Sequence, residues 1–202
     1  MPVWGWIVIA AIVVVAAVLL VVAIAASRRK RTERLQERFG PEYERAVVEA
    51  GDHKAAEKEL AARERKREKL DIHPLTRQAL EAHANRWRTV QTAFVDNPAS
   101  AVGDADRLVT EVMRERGYPV DDFDQRAADI SVDHPTVVEN YRAAHVIHLA
   151  QQNGDVGTEE QRQAFVHYRA LFEKLLDPDN DKNTSQHTDT STDTDTAQEA
   201  PA

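Results

Sequence analysis

The chain has 202 residues, a formal net charge of -8 at pH 7, 42% hydrophobic and 30% charged residues, and no cysteine. The missing cysteines exclude disulfides, thiolate metal sites, a catalytic thiol and a lipid-modified cysteine, and the acidic balance argues against general nucleic-acid binding. The charge is uneven: Arg28, Arg29, Lys30 and Arg31 form a basic cluster after an uncharged start, whereas residues 32–176 and the tail from Asp177 are both net acidic.

From Val3 to Ala26 there are 24 residues without a charge. As a helix they span roughly 36 Å, enough to cross a hydrocarbon core of about 30 Å. Trp4 and Trp6 stand at one end, where indole rings favour the headgroup boundary, and Arg28 to Arg31 stand at the other. Because positive charge resists translocation, the expected topology is residues 1–2 outside, a transmembrane helix over 3–26 and the remainder in the cytoplasm. The competing reading is a cleaved signal peptide, with Ala23-Ile24-Ala25 as the small-residue site and an extracytoplasmic domain beyond it. Its uncharged start, long apolar run and four following cations oppose it. The cations are also placed to attract anionic lipid, although setting topology accounts for them alone.

Thr32 to Phe39 reads as a short charged helical stretch, which Gly40-Pro41 interrupts. Through Tyr43, Val47, Ala50, Leu60 and Leu70 the apolar content is thin, and Lys54 to Leu70 carries seven basic and four acidic side chains. Residues 27–70 are therefore expected to form a basic juxtamembrane segment and a solvated, stalk-like helix. His73-Pro74 breaks this pattern. A compact domain is expected over 71–176, with an earlier start near residue 33 as the alternative.

In that domain Leu80, Ala84, Trp87, Gln91 and Phe94 fall on one stripe, with Trp87 the expected centre of the core. Asn97-Pro98 gives a helix start whose buried face holds Val102, Ala105, Leu108, Val109, Val112 and Met113, ended by Gly117-Tyr118-Pro119. Asp121, Asp122 and Asp124 open a short segment through Phe123 and Ile130. After Asp133-His134-Pro135, Val138, Tyr141, His145 and His148 or Leu149 share a helix face. Thr158 with Gln161 suggests a capping box for a last helix with Phe165, Tyr168, Phe172 and Leu175 on one side. No strand or hairpin signal competes. The expected fold is all-α: one transmembrane helix, a bundle of four or five helices, and a disordered tail over 177–202 rich in Asp and Thr.

The candidate chemistry is sparse. His145 and His148, at i and i+3, can present two imidazoles to one metal, with His167 or Glu139 as imaginable further ligands, but two histidines are half a site and ordinary surface or core-edge histidines explain them. Asp177, Asp179, Asp181 and Asn183 begin like a calcium loop, yet Lys182 stands where the turn needs Gly and Thr188 where a bidentate Glu belongs. Lys54 to Lys69 offers cations for phosphate or lipid headgroups, but interleaved acids favour a solvated face. Thr190, Thr192 and Thr194 sit among acids as phosphate acceptors without further support. There is no Gly-rich phosphate loop, nucleophile elbow or kinase motif set, so no catalytic residue and no cofactor are assigned.

Arg38-Phe39-Gly40-Pro41-Glu42-Tyr43, Val90-Gln91 with Phe94-Val95-Asp96, Arg116-Gly117-Tyr118-Pro119, His134-Pro135 with Tyr141-Arg142-Ala143-Ala144-His145, and His167-Tyr168-Arg169 with Leu171-Phe172 occur together. Jointly they resemble an uncharacterised bacterial family of membrane-anchored or secreted helical proteins, over roughly residues 33–176. The resemblance implies one continuous domain and carries no activity or ligand. The functional expectation is a membrane-tethered, non-enzymatic interaction or regulatory module facing the cytoplasm, in contact with the bilayer and a protein partner. A metal- or small-ligand-binding helical domain and a secreted domain are the alternatives.

Overall fold

A computed structural model describes residues 3–154 and 156–177. The tail from residue 178, with Asp179, Asp181, Asn183 and Thr190 to Thr194, lies outside the described residues, as does the side chain of Trp6. The described residues are all-helical, with eight helices and no strand. That is more than an anchor plus four or five, because the glycine breaks in residues 27–70 divide what reads as a single stalk. Contacts separate the chain into two units at Ala61/Ala62, whereas the sequence pattern places the boundary near 70/71.

In the first unit, α1 (Val3–Phe39) runs unbroken from the apolar segment through the basic cluster and the following charged residues. The short helix expected at Thr32 to Phe39 is its continuation. From Ile12 onward α1 is long and apolar enough, by length and composition, to cross a membrane, and no protein covers that apolar window; the large apolar side chains from Ile12 to Ile24 are 44–66% exposed. Gly40 stops the helix at φ 48°, a left-handed conformation that side-chain-bearing residues resist. Its N–H still closes on Gln36 O at 2.8 Å. α2 (Pro41–Ala50) then starts with proline at its first position and ends at Gly51, φ 69°.

Asp52 caps α3 (His53–Arg67) by accepting the Ala55 N–H at 3.0 Å. Although apolar residues are few here, Leu35, Phe39, Tyr43, Ala46, Ala56 and Leu60 are all buried. The stretch is thus less solvated than its composition suggests, since turns at Gly40 and Gly51 bring sparse apolar positions inward while Val48 stays outside.

The second unit contains α4 (Arg77–Asp96), α5 (Pro98–Glu115), α6 (Phe123–Asp133), α7 (Val138–Gln152) and α8 (Thr158–Leu176). α8 packs against both α5 and α7, α4 against α5, and α6 against α7. Every residue of the expected α5 stripe is buried, as are Phe165, Tyr168, Phe172 and Leu175 of α8. Trp87 stacks on Phe172 and Phe165 with ring centroids 4.5 and 5.0 Å away, and aromatic pairs in this range add to simple burial.

The helix starts are chemically defined. Thr76 Oγ1 accepts Ala79 N–H at 3.1 Å, Asn97 Oδ1 accepts Ser100 N–H at 3.0 Å, and an Asp122 oxygen accepts Gln125 N–H at 2.9 Å. α8 departs from the expected capping box: Thr158 is already helical, Gly157 is the cap residue, and Glu160 reaches back to the Gly157 N–H at 2.8 Å. His134 closes α6 rather than opening the next helix, so α7 begins only at Val138 after a turn.

A polar cluster fixes α6. Asp133 Oδ2 accepts from Arg67 Nε and from the Tyr118 hydroxyl, both at 2.5 Å, while Lys66 donates to Asp129 at 2.9 Å. The Asp133 side chain is 4% exposed, so its charge is sustained by these donors. Arg116, equally buried, donates to Leu175 O at 2.7 Å. Beside it Gly117 adopts φ 95°, and a Cβ there would fall 2.2 Å from the Asp71 carbonyl oxygen.

Candidate functional site

His145 and His148 lie on the α7 face that meets α5 and α6. Their ring centroids are 6.4 Å apart. His145 stacks flat on Phe123 at 3.6 Å, and His148 Nε2 is 3.4 Å from Gln152 Nε2. The buried Nδ1 atoms of both histidines have no hydrogen-bond partner among the described residues. Burial lowers the His145 pKa below its usual 6.5; Asp106 opposes this, while His148 and Arg126 reinforce it. A neutral, accepting imidazole is therefore the form present at neutral pH.

Around this pair the structure gathers Tyr141 and Tyr168, which the helix stripes already mark, together with Asp106 and Arg126, which the sequence pattern does not single out. Tyr168 donates to Asp106 Oδ1 at 2.9 Å. Burial first, and then the Asp106 charge, raises the Tyr168 phenol far above its ordinary value. Burial likewise pushes Tyr141 up to about 12, with Arg126 opposing. Both phenols stay protonated in the physiological range, and Tyr168 uses its proton to donate to Asp106 rather than to carry it elsewhere. Asp106 was legible in principle, since it lies four residues after Val102 and three before Val109, on the edge of the buried stripe.

The imagined further ligands do not join the pair. Glu139 is paired with Arg142 at 2.7 Å, and His167 is half-buried on α8, beside the buried Tyr168. Among the described residues no group of three or more His, Asp or Glu side chains is placed to hold a metal ion. Trp87 belongs to a ring group with Phe165 and Phe172, whereas Tyr141 and His145 meet Phe123. A groove of about 380 Å³ runs between α4 and α8, with Trp87 and Phe172 at its base and Arg88, Gln91, Arg169 and Glu173 on its rim.

No family model, curated protein or solved structure matches this chain.

At the membrane-facing candidates, Trp4 is 75% exposed. Arg28, Arg29, Lys30 and Arg31 are exposed on the continuation of the same helix. Arg29 pairs with Glu33 at 2.9 Å; Arg28 and Arg31 line a cleft with residues of α3.

Proposed function

We propose that this protein is a single-pass, membrane-tethered interaction module without catalytic activity, its helical domain meeting a protein partner at the cytoplasmic surface. The observation that carries the reading is the apolar stretch of α1, exposed from Ile12 onward, continuing without a break into a basic cluster. An uncovered apolar surface of that length needs lipid around it, and the cations give the direction. The α4/α8 groove supports the choice of partner surface, because a nearly buried tryptophan beneath a charged rim is the usual anatomy of a recognition hot spot. We further propose kinship with the uncharacterised bacterial family of membrane-anchored or secreted helical proteins, supported by the joint occurrence of phrases such as Arg116-Gly117-Tyr118-Pro119 and His167-Tyr168-Arg169.

Crosslinking in native membranes followed by mass spectrometry tests the interaction: a partner attached to residues bordering the groove is expected, and recovery of the bare monomer alone would overturn it. Since the chain has no cysteine, a Val95→Cys variant reports topology. Labelling by a membrane-impermeant maleimide only after permeabilisation is expected, and labelling of intact cells would place the domain outside.

A second reading follows from the unsatisfied Nδ1 atoms of His145 and His148: a small-ligand or metal site on α7. Stoichiometric metal in the purified chain, lost in a His145→Ala/His148→Ala variant, would promote it. Equal, trace metal in both would discard it.

A further inference from the structure

The first unit contains a cleft of about 520 Å³ between α1 and the start of α3. Arg28 and Arg31 line it from α1, and Lys54 and Lys58 from α3. Spacings of three and four residues put each pair on one helix face. One carboxylate, Glu57, lies among them and is already occupied: the Thr32 hydroxyl donates to its Oε1 at 2.6 Å and the Tyr43 hydroxyl at 3.3 Å. Among the described residues none of the four cations is in an ion pair. Even with the Glu57 carboxylate counted, four cations against one acid leave a net positive lining, and an anion among the cations lowers their mutual repulsion.

The cleft's height along α1 identifies the anion. Arg28 and Arg31 follow the last apolar residue, Ala26, by two and five positions, which is roughly 3 to 8 Å along a helix axis. The headgroup layer occupies about 5 to 8 Å on each side of the hydrocarbon core. Both guanidiniums therefore emerge at the level of the lipid phosphates, with two lysines facing them from α3.

We propose that this cleft holds the phosphate of an anionic lipid headgroup, a site that rests on the membrane-spanning reading of α1. The guanidinium forks suit a phosphate's paired oxygens, and the two ammonium groups add charge from the opposite wall. Lipid binding then depends on α3 as well as on the cations that set topology.

The test uses the full chain in nanodiscs of phosphatidylcholine with a minority of phosphatidylglycerol, counting retained lipids by native mass spectrometry. Lys54→Gln/Lys58→Gln leaves Arg28 to Arg31 intact; at about five-fold per cation, it should weaken phosphatidylglycerol retention about twenty-five-fold. An Arg29→Gln/Lys30→Gln variant removes as much charge outside the cleft and should lose much less, so equal losses would mean diffuse attraction and overturn the site. Inorganic phosphate alone, added to the detergent-solubilised chain, should bind only weakly. Saturable phosphate uptake without phosphatidylglycerol retention would overturn the lipid source. Alkaline carbonate extraction separates the two levels: release of the chain would refute the spanning reading itself, whereas a retained chain without phosphatidylglycerol preference would refute only the cleft.

Discussion

Acidification should destabilise the helical domain through His134 in particular. This residue is 3% exposed at the end of α6, and burial lowers its pKa from 6.5 to about 4; Asp133 pulls upward, while Arg116, Lys174 and Arg67 push further down. In the unfolded chain the imidazole takes its proton near pH 6.5, but in the native state only near 4, so the unfolded state binds more protons in between. Stability is therefore full above about pH 6.5 and falls as the pH drops toward 4, below which this group adds nothing further. At about 1.36 kcal/mol per pH unit, the interval corresponds to about 3 kcal/mol.

The measurement is urea unfolding of the full chain in detergent micelles at a series of pH values. Trp4→Phe and Trp6→Phe leave Trp87 as the only tryptophan. The wild-type midpoint should fall between pH 6.5 and 4, and a His134→Gln variant, whatever its basal stability, should lose most of that slope. His145, also lowered, contributes a residual slope of the same sign, and Glu111, held down by Arg86, adds a loss that begins near the ordinary carboxylate value and continues below it. An unchanged slope in His134→Gln, or a His134 resonance titrating near 6.5, would refute the reasoning.

Replacing Gly117 by Ala should cost about 3 kcal/mol, because a left-handed backbone must carry a Cβ aimed at the Asp71 carbonyl; a midpoint within error of wild type would show that the 71–73 segment does not pack there. Asp133→Ala should cost about 3 to 5 kcal/mol by stranding Arg67 and the buried Tyr118 hydroxyl. Tyr118→Phe, which leaves the Arg67 pair intact, should cost about 1 to 2 kcal/mol; equal effects in the two variants would contradict the shared acceptor.

Regular periodicity is where the sequence was most informative. The α5 and α8 stripes, Trp87 as a packing centre and the Asn97 cap all follow from spacing and side-chain chemistry, and the structure has them. Sparse patterns misled. Tyr43 and Leu60 look isolated on a charged helix, yet tight turns at Gly40 and Gly51 make a small core of them. The Asp133 cluster was invisible for a different reason: Arg67, Tyr118 and Asp133 are far apart in sequence, and a polar residue's burial depends on partners that only the tertiary fold supplies. The histidine pair was legible from its spacing, but Phe123 and Asp106, which set its environment, were not.

The uninterrupted course of α1 has a mechanical consequence under the proposed membrane reading. No proline or glycine separates the spanning residues from Phe39, so the helix has no swivel at the bilayer surface. Phe39 lies about 20 Å beyond Ala26 on the helix axis, and a change in tilt of about 10°, within the range that bilayer thickness imposes, sweeps it sideways by roughly 3 Å. Leu35 and Phe39 are the residues that would feel that displacement first, and both are buried. The anchor thus behaves as a lever whose short arm ends inside the first unit's packed interior.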